Sequence, residues 1–149
     1  MATLFQAPAR TALRARLAKL RPDVPPRWGR FTAPQMLAHV NDGLRMALGD
    51  LATAPKKVTL LRYPILKQLI VYVLPMPKGA PTSPELLARV DTAQWDTEVA
   101  VFPGLLDRAG ARAGSRDWPL HPAFGHLSPR AWGVLGYRHI DHHFTQFGV

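Results

Sequence analysis

Six histidines and no cysteine define the chemistry open to this chain of 149 residues. Without thiolates, a strongly bound metal must be held by imidazole or carboxylate, and the protein offers no thiol nucleophile. Three of the histidines crowd into the run HIDHH close to the end of the sequence, as His139, His142 and His143. On a helix, residues four apart lie about 40° apart around the axis and roughly 6 Å along it, so His139 and His143 can reach one ion. His142 falls on the other side of His139, where it would serve as a substitute ligand, a hydrogen-bond donor to a ligand, or a base. Pairs with this spacing also arise without a metal, because a single hydrogen bond satisfies a buried imidazole.

His39 lies far from that cluster in sequence, on an apolar stripe with Met36, Val40, Gly43, Leu44 and Ala47. An uncompensated polar ring there would be costly, and a third ligand facing the pair across a helical interior accounts for its position. The plain alternative is a core histidine bonded to a carbonyl or a tyrosine hydroxyl. Three neutral imidazoles leave at least one coordination position open, as in a catalytic rather than a purely structural site. An ion held there can acidify water or a substrate thiol, or polarise a carbonyl. Imidazole suits zinc, nickel, iron or copper, with zinc or nickel the first expectation. Asp42 is one turn beyond His39 and is the better carboxylate partner for a ligand, since Asp141 points away from both His139 and His143. For each, however, a solvated surface carboxylate is the expected account. Trp132 and Phe147 share the histidine face and are expected in the core, while His121 and His126 are outlying candidates for the mouth of the site.

The elements that must position these residues are marked locally. Leu13, Leu17 and Leu20 recur at helical spacing within a first helix from about Leu4 to Leu20, and Pro22, Pro25 and Pro26 prevent its continuation. Thr32, Pro34 and Gln35 spell a capping box that opens a second helix, and Gly49 offers its stop. Ile65 to Leu74 reads as a short helix, core by default and an interface if exposed, with a buried strand as the alternative. The stretch PMPKGAPTSP opposes regular structure. A short helical turn follows from Ser83, then a longer helix from about Thr92 to Ala111 that Pro103 should kink. Ser128 caps and Pro129 opens a last helix, with Trp132, Leu135, Gly136, His139, His143 and Phe147 on one face. The expected fold is all-α: one domain over residues 1–149, an antiparallel four-helix bundle with a short extra helix and long irregular loops.

Composition narrows the function further. With 47% hydrophobic and 19% charged residues the chain can bury a core. Its most apolar stretch is interrupted by Lys67 and Gln68 and is too short to span a membrane. The first twenty residues lack the apolar centre of a secretory signal, and a cytoplasmic protein without a membrane partner is expected. Of the net charge of +9, six units fall in residues 1–30, where Arg10, Arg14, Arg16, Lys19, Arg21, Arg27 and Arg30 face only Asp23. The plain reading is a solvated helix face; the functional one is a docking site for an acidic partner. Nucleic acid is not expected, since no motif that reads DNA or RNA accompanies the arginines. The absence of a glycine-rich phosphate loop and of an acid pair argues against phosphoryl transfer and glycoside hydrolysis.

The segment QMLAHV, followed by HPAFGHLSPRAWGVLGYRHIDHHFTQFGV, resembles the DinB-like (YfiT-like) superfamily of metal-binding four-helix bundles. It is most similar to the branch of unknown function that ends in a histidine-rich stretch followed by QFG. The resemblance spans the whole length, and its middle third rests on apolar character and the PMPKGAPTSPE loop. It implies that His39, His139 and His143 hold a divalent metal, favours His143 over His142, and aligns Gln146 with a glutamine that commonly follows. It further implies a homodimer and a small-molecule substrate, in some members a low-molecular-weight thiol. The resulting expectation is a metal-dependent enzyme that transfers a small thiol or hydrolyses a small substrate, with His142 as the candidate catalytic base. The rival is a non-catalytic interaction bundle that uses its basic first helix to bind an acidic partner.

Overall fold

A computed structural model describes residues 1–56, 59–79 and 82–149, and among these residues it is all-helical. Five α-helices span Ala7–Leu17 (α1), Ala33–Leu48 (α2), Pro64–Tyr72 (α3), Trp95–Ala111 (α4) and Pro129–Gln146 (α5). Short 3-10 turns occupy Thr59–Arg62, Pro84–Leu86 and Val90–Thr92. The only strand-like feature among the described residues is an isolated bridge between His121 and Gly125. Residues 80 and 81 of the expected irregular loop lie outside the described residues. Among the described residues, no helix is long and apolar enough to cross a membrane.

The best-marked helix in the sequence is the central one in space. Gln35 N–H donates to Thr32 Oγ1 at 3.4 Å and Thr32 N–H donates to Gln35 Oε1 at 2.9 Å, completing the capping box of α2. The helix ends at Gly49, whose φ of +85° is a left-handed conformation that glycine adopts without a Cβ penalty. Helix α2 packs against α4 and α5, while the 3-10 turns of residues 84–92 cover it from another side. Its buried residues therefore extend well beyond one stripe and include Asn41 and Asp42 as well as Met36, Leu37 and Val40. These apolar residues join Leu13 and Leu17 of α1, Phe102 and Leu106 of α4, and Ile140 and Phe144 of α5 in one core.

Helix α1 is shorter than expected, yet Leu4 and Leu20 beyond its two ends are still buried. Leu4 N–H donates to the Gly133 carbonyl at 3.0 Å, which lays the N-terminal segment across α5 instead of extending the helix. Arg14 donates to Asp107 of α4 at 2.5 Å, and Arg16 donates to Asp141 of α5 at 2.5 Å and to the Val149 carbonyl at 2.8 Å. Arg14 and Arg16 thus clasp α1 onto its neighbours, whereas Lys19, Arg21, Arg27 and Arg30 are exposed, as the expected solvated basic face requires.

Helix α4 begins at Trp95 and not near Thr92, because Val90–Thr92 forms a separate 3-10 turn and Gln94 is extended. Pro103 lies inside α4, which continues to Ala111. Helix α5 opens as its sequence foretells, with Ala131 N–H donating to Ser128 Oγ at 3.2 Å. Helix α3 packs on α5 and on the preceding 3-10 turn. It buries Val71 against Phe124, Ala131, Val134 and Leu135, whereas Ile65, Leu69 and Val73 are exposed. The expectation that this apolar segment belongs to the core is corrected: a helix with neighbours on one side buries only that side.

Candidate metal centre

The rings of His39, His139 and His143 converge between α2 and α5. Each offers a nitrogen, and the three nitrogens lie within 4.8 Å of one another. His39 Nε2 and His139 Nε2 are 3.0 Å apart. Nitrogens bound to a common ion at about 2.0–2.1 Å stand roughly 3 to 3.5 Å apart, so the His39–His139 pair is already at the spacing of a shared cation, and the full set, spread over 4.8 Å, would have to draw together around it. Phe31 packs over two of the rings, 5.5 Å from His39 and 6.5 Å from His143 between centroids. Gly43, one helical turn from His39, leaves room for the third: a Cβ there would sit 3.3 Å from His139 Cε1.

Hydrogen bonds on the far side of two rings determine which nitrogen faces the centre. His39 Nδ1 lies 3.3 Å from the Leu86 carbonyl, and because a carbonyl only accepts, Nδ1 carries the proton and Nε2 a lone pair. For His143 the argument runs through Gln146. Gln146 Nε2 donates to the Trp28 carbonyl at 2.6 Å, which orients the amide and turns Oε1 toward His143 Nδ1 at 2.9 Å. His143 Nδ1 is therefore a donor and its Nε2 also carries a lone pair. A proton on His139 Nε2 could satisfy only one of these two acceptors, whereas a cation satisfies all three nitrogens.

Electrostatics keep the rings neutral and ready to ligate. His143 is lowered to about 3, chiefly by burial and then by His39, with Gln146 opposing. His139 is held well below its ordinary value by burial and then by the neighbouring histidines, His143 foremost. His39 is lowered by burial, against the Leu86 carbonyl and the Asp42 charge.

Asp42 corrects the expectation of a solvated surface carboxylate: it is 1% exposed. Nor does it bond to His39. It accepts from Arg45 at 2.6 Å and from Arg89 at 2.9 Å. Arg89 also pairs with the buried Glu98, whose other oxygen accepts from Asn41 Nδ2 at 2.8 Å. Arg89 thereby ties the segment that carries the Leu86 carbonyl to α2 and α4. Asp141 is half-exposed and pairs with Arg16.

The remaining sequence candidates lie outside the cluster. The ring of His142 is 5.2 Å from that of His143 and 5.5 Å from Trp28, flanking the site without joining the three nitrogens. His121 closes a turn, its Nδ1 accepting from Ala123 and Phe124 N–H at 3.1 and 3.2 Å. Its ring packs on Trp132. His126 supplies its carbonyl to Lys67. Trp132 and Phe147 are core residues, 3% exposed in each case. No local pattern in the sequence signals the supporting roles of Leu86, Trp28 and Arg89; Gln146 stands out in it only by resemblance, although a glutamine three residues after a histidine on a helix is placed to bond it.

Comparison with known proteins gives a family. The family described as protein of unknown function (DUF1569) matches residues 5–148. The chain belongs to this family. All three converging histidines and Gln146 lie within the matched span. No curated protein and no solved structure matches the chain.

Proposed function

We propose that this family member is a divalent-metal enzyme of the DinB-like kind, in which α1, α2, α4 and α5 form the antiparallel four-helix bundle and α3 is the extra helix. The observation that carries the reading is the pair of oriented imidazoles: Leu86 and Gln146 each hold a histidine Nδ1–H, so that Nε2 lone pairs face one spot beside His139. Contacts of α2 and of α1 with both α4 and α5 support the bundle arrangement.

His39, His139 and His143 would hold the ion, and zinc or nickel suits three nitrogen donors. When bound, it would supply Lewis acidity toward a water or a small thiol. The three rings are neutral, so the protein ligands would leave the positive charge of the ion undiminished. His142 flanks His143 and is held below its ordinary pKa by burial, with Asp141 opposing and Lys78 reinforcing. It is therefore neutral at pH 7 and suited to take up a substrate proton at a ring nitrogen. The substrate in this reading is a small molecule, a low-molecular-weight thiol or a hydrolysable compound, and the enzyme is a homodimer.

Elemental analysis of protein purified without a histidine tag tests the proposal. Stoichiometric divalent metal, lost in His139→Ala, is expected, followed by turnover in a panel of small thiols and hydrolase substrates. Metal-free protein from supplemented medium that also fails to bind zinc or nickel on titration would overturn it.

A further inference from the structure

A cavity of about 730 Å³ lies at the C-terminal end of α2, between residues 51–55, residues 62–67 and the turn of residues 119–126. Cavities that hold small molecules span about 300–1,000 Å³. None of the three converging histidines lines this one. Its walls are tied to one another through backbone carbonyls. Lys56 N–H donates to the Pro122 carbonyl at 2.9 Å, Arg62 Nη2 to the Lys56 carbonyl at 3.3 Å, and Lys67 Nζ to the His126 carbonyl at 2.9 Å. The turn is closed by the bridge between His121 and Gly125, whose two bonds measure 2.9 and 2.8 Å. These bonds fix the walls around the space, so a ligand need not order them.

The lining indicates what fits. Met46, Leu51 and Phe124 give the cavity an apolar wall, and Arg62, Lys67 and His121 give it donors. The carbonyls that hold Arg62 and Lys67 occupy one N–H of each and neutralise neither charge, whereas a guanidinium offers five N–H groups and an ammonium three. Among the described residues, no Asp or Glu lines the cavity. Asp50, beside it in the chain, accepts from Arg108 at 2.6 and 2.8 Å, and Glu85 accepts from Ala54 N–H at 2.8 Å. His121 adds a neutral donor. Its Nδ1 accepts from Ala123 and Phe124 N–H, so the proton sits on Nε2, which has no acceptor among the described residues. Burial, reinforced by Lys56, lowers the ring to about 4 and keeps it neutral at pH 7. A cationic ligand would meet two positive charges and no carboxylate, and a wholly apolar one would leave the N–H groups unpaired.

We infer that this cavity binds a small organic anion, its apolar body against Met46, Leu51 and Phe124 and its carboxylate or phosphate-ester head accepting from Arg62, Lys67 and His121 Nε2. Charge-assisted hydrogen bonds to the two cations set the preference for an anion, and the apolar wall favours an organic anion over inorganic phosphate. The site requires nothing of the metal centre.

The test is titration of the isotope-labelled full chain with octanoate, octyl phosphate and octanol, read by backbone amide shifts in NMR. Saturable shifts concentrated in residues 51–56 and 119–126 are expected with one or both anions and not with octanol, and the tighter anion identifies the head group. Arg62→Gln combined with Lys67→Gln should weaken binding about tenfold or more, and added salt should weaken it as well. Arg62→Lys combined with Lys67→Arg keeps both charges and should retain most of the affinity, which separates lost charge from a disturbed wall. His139→Ala should bind as wild type does, so failure here and failure of the metal reading are told apart. No saturable shifts with either anion, equal affinity for octanol, or shifts centred on His39, His139 and His143 would overturn the inference. So would unchanged affinity in the charge-neutral variant, or equal loss in both double variants.

Discussion

Gly43 and His139 are packed so closely that a single added methyl group at Gly43 would stand 3.3 Å from His139 Cε1 and 3.4 Å from its Nδ1. The imidazole from α5 lies against the bare backbone of α2, and the absence of a side chain there sets how near His139 comes to His39. Gly43→Ala gains helix propensity of up to about 1 kcal/mol but must displace the ring by a few tenths of an ångström. Metal affinity, read by competition with a chromophoric chelator, should fall about tenfold while thermal stability holds or rises. Unchanged affinity would show that the ring yields freely.

Gln146 links His143 to the Trp28 carbonyl and so connects the site to the segment between α1 and α2. In Gln146→Ala both groups lose their partner. A loss of about 1–3 kcal/mol in urea unfolding and of about 10–100-fold in metal affinity is expected. Gln146→Glu retains an acceptor for His143 but turns a carboxylate toward a carbonyl, so it should not restore stability.

Arg89 compensates two carboxylates that are almost fully buried, Asp42 and Glu98. Removing one member of a buried ionic cluster leaves uncompensated charge and costs about 3–5 kcal/mol; Arg45 still serves Asp42, so the lower end is expected for Arg89→Met. Because Arg89 also fastens the segment bearing the Leu86 carbonyl, the Nδ1–H of His39 should lose its slowly exchanging imidazole proton signal by NMR. Arg89→Lys should recover part of the stability. A variant as stable as wild type would refute the clasp.

Burial lowers His143 to about 3 and His121 to about 4, so below the ordinary histidine value of 6.5 the unfolded chain binds protons that the folded chain does not. Stability of the metal-free protein therefore rises with pH across this window and is lost as pH falls from 6.5 toward those folded values, by up to about 1.4 kcal/mol per pH unit for each such histidine. Denaturant midpoints measured from pH 7 to acid should drop steadily. A flat profile above pH 4 would mean that these rings are not buried in neutral form.

The helices were legible because their signals are local. The Thr32 and Gln35 box, the Gly49 stop and the Ser128 cap each act within a few residues of backbone, so the sequence states them directly. The candidate ligands were legible for a related reason: four-residue spacing places His139 and His143 on one face, and the apolar stripe places His39 inward. The interior position of Asp42 was hidden, because it depends on Arg89, 47 residues away in sequence. The same holds for the Arg16 clasp onto Asp141 and for the Gln146 bond to Trp28, which joins residues 118 apart. Nor does the composition of α3 distinguish a covered apolar helix from an uncovered one.

The amino-acid order alone thus determined the capped starts of α2 and α5, the Gly49 stop and the inward stripes that carry His39, His139 and His143, since these follow from contacts within one or two turns, but not the ends of α1 or the start of α4. Tertiary packing decided that three of those rings meet within 4.8 Å, which arginines neutralise the buried acids and which apolar face remains in water. Those outcomes depend on which distant segments become neighbours, and no local pattern encodes that choice.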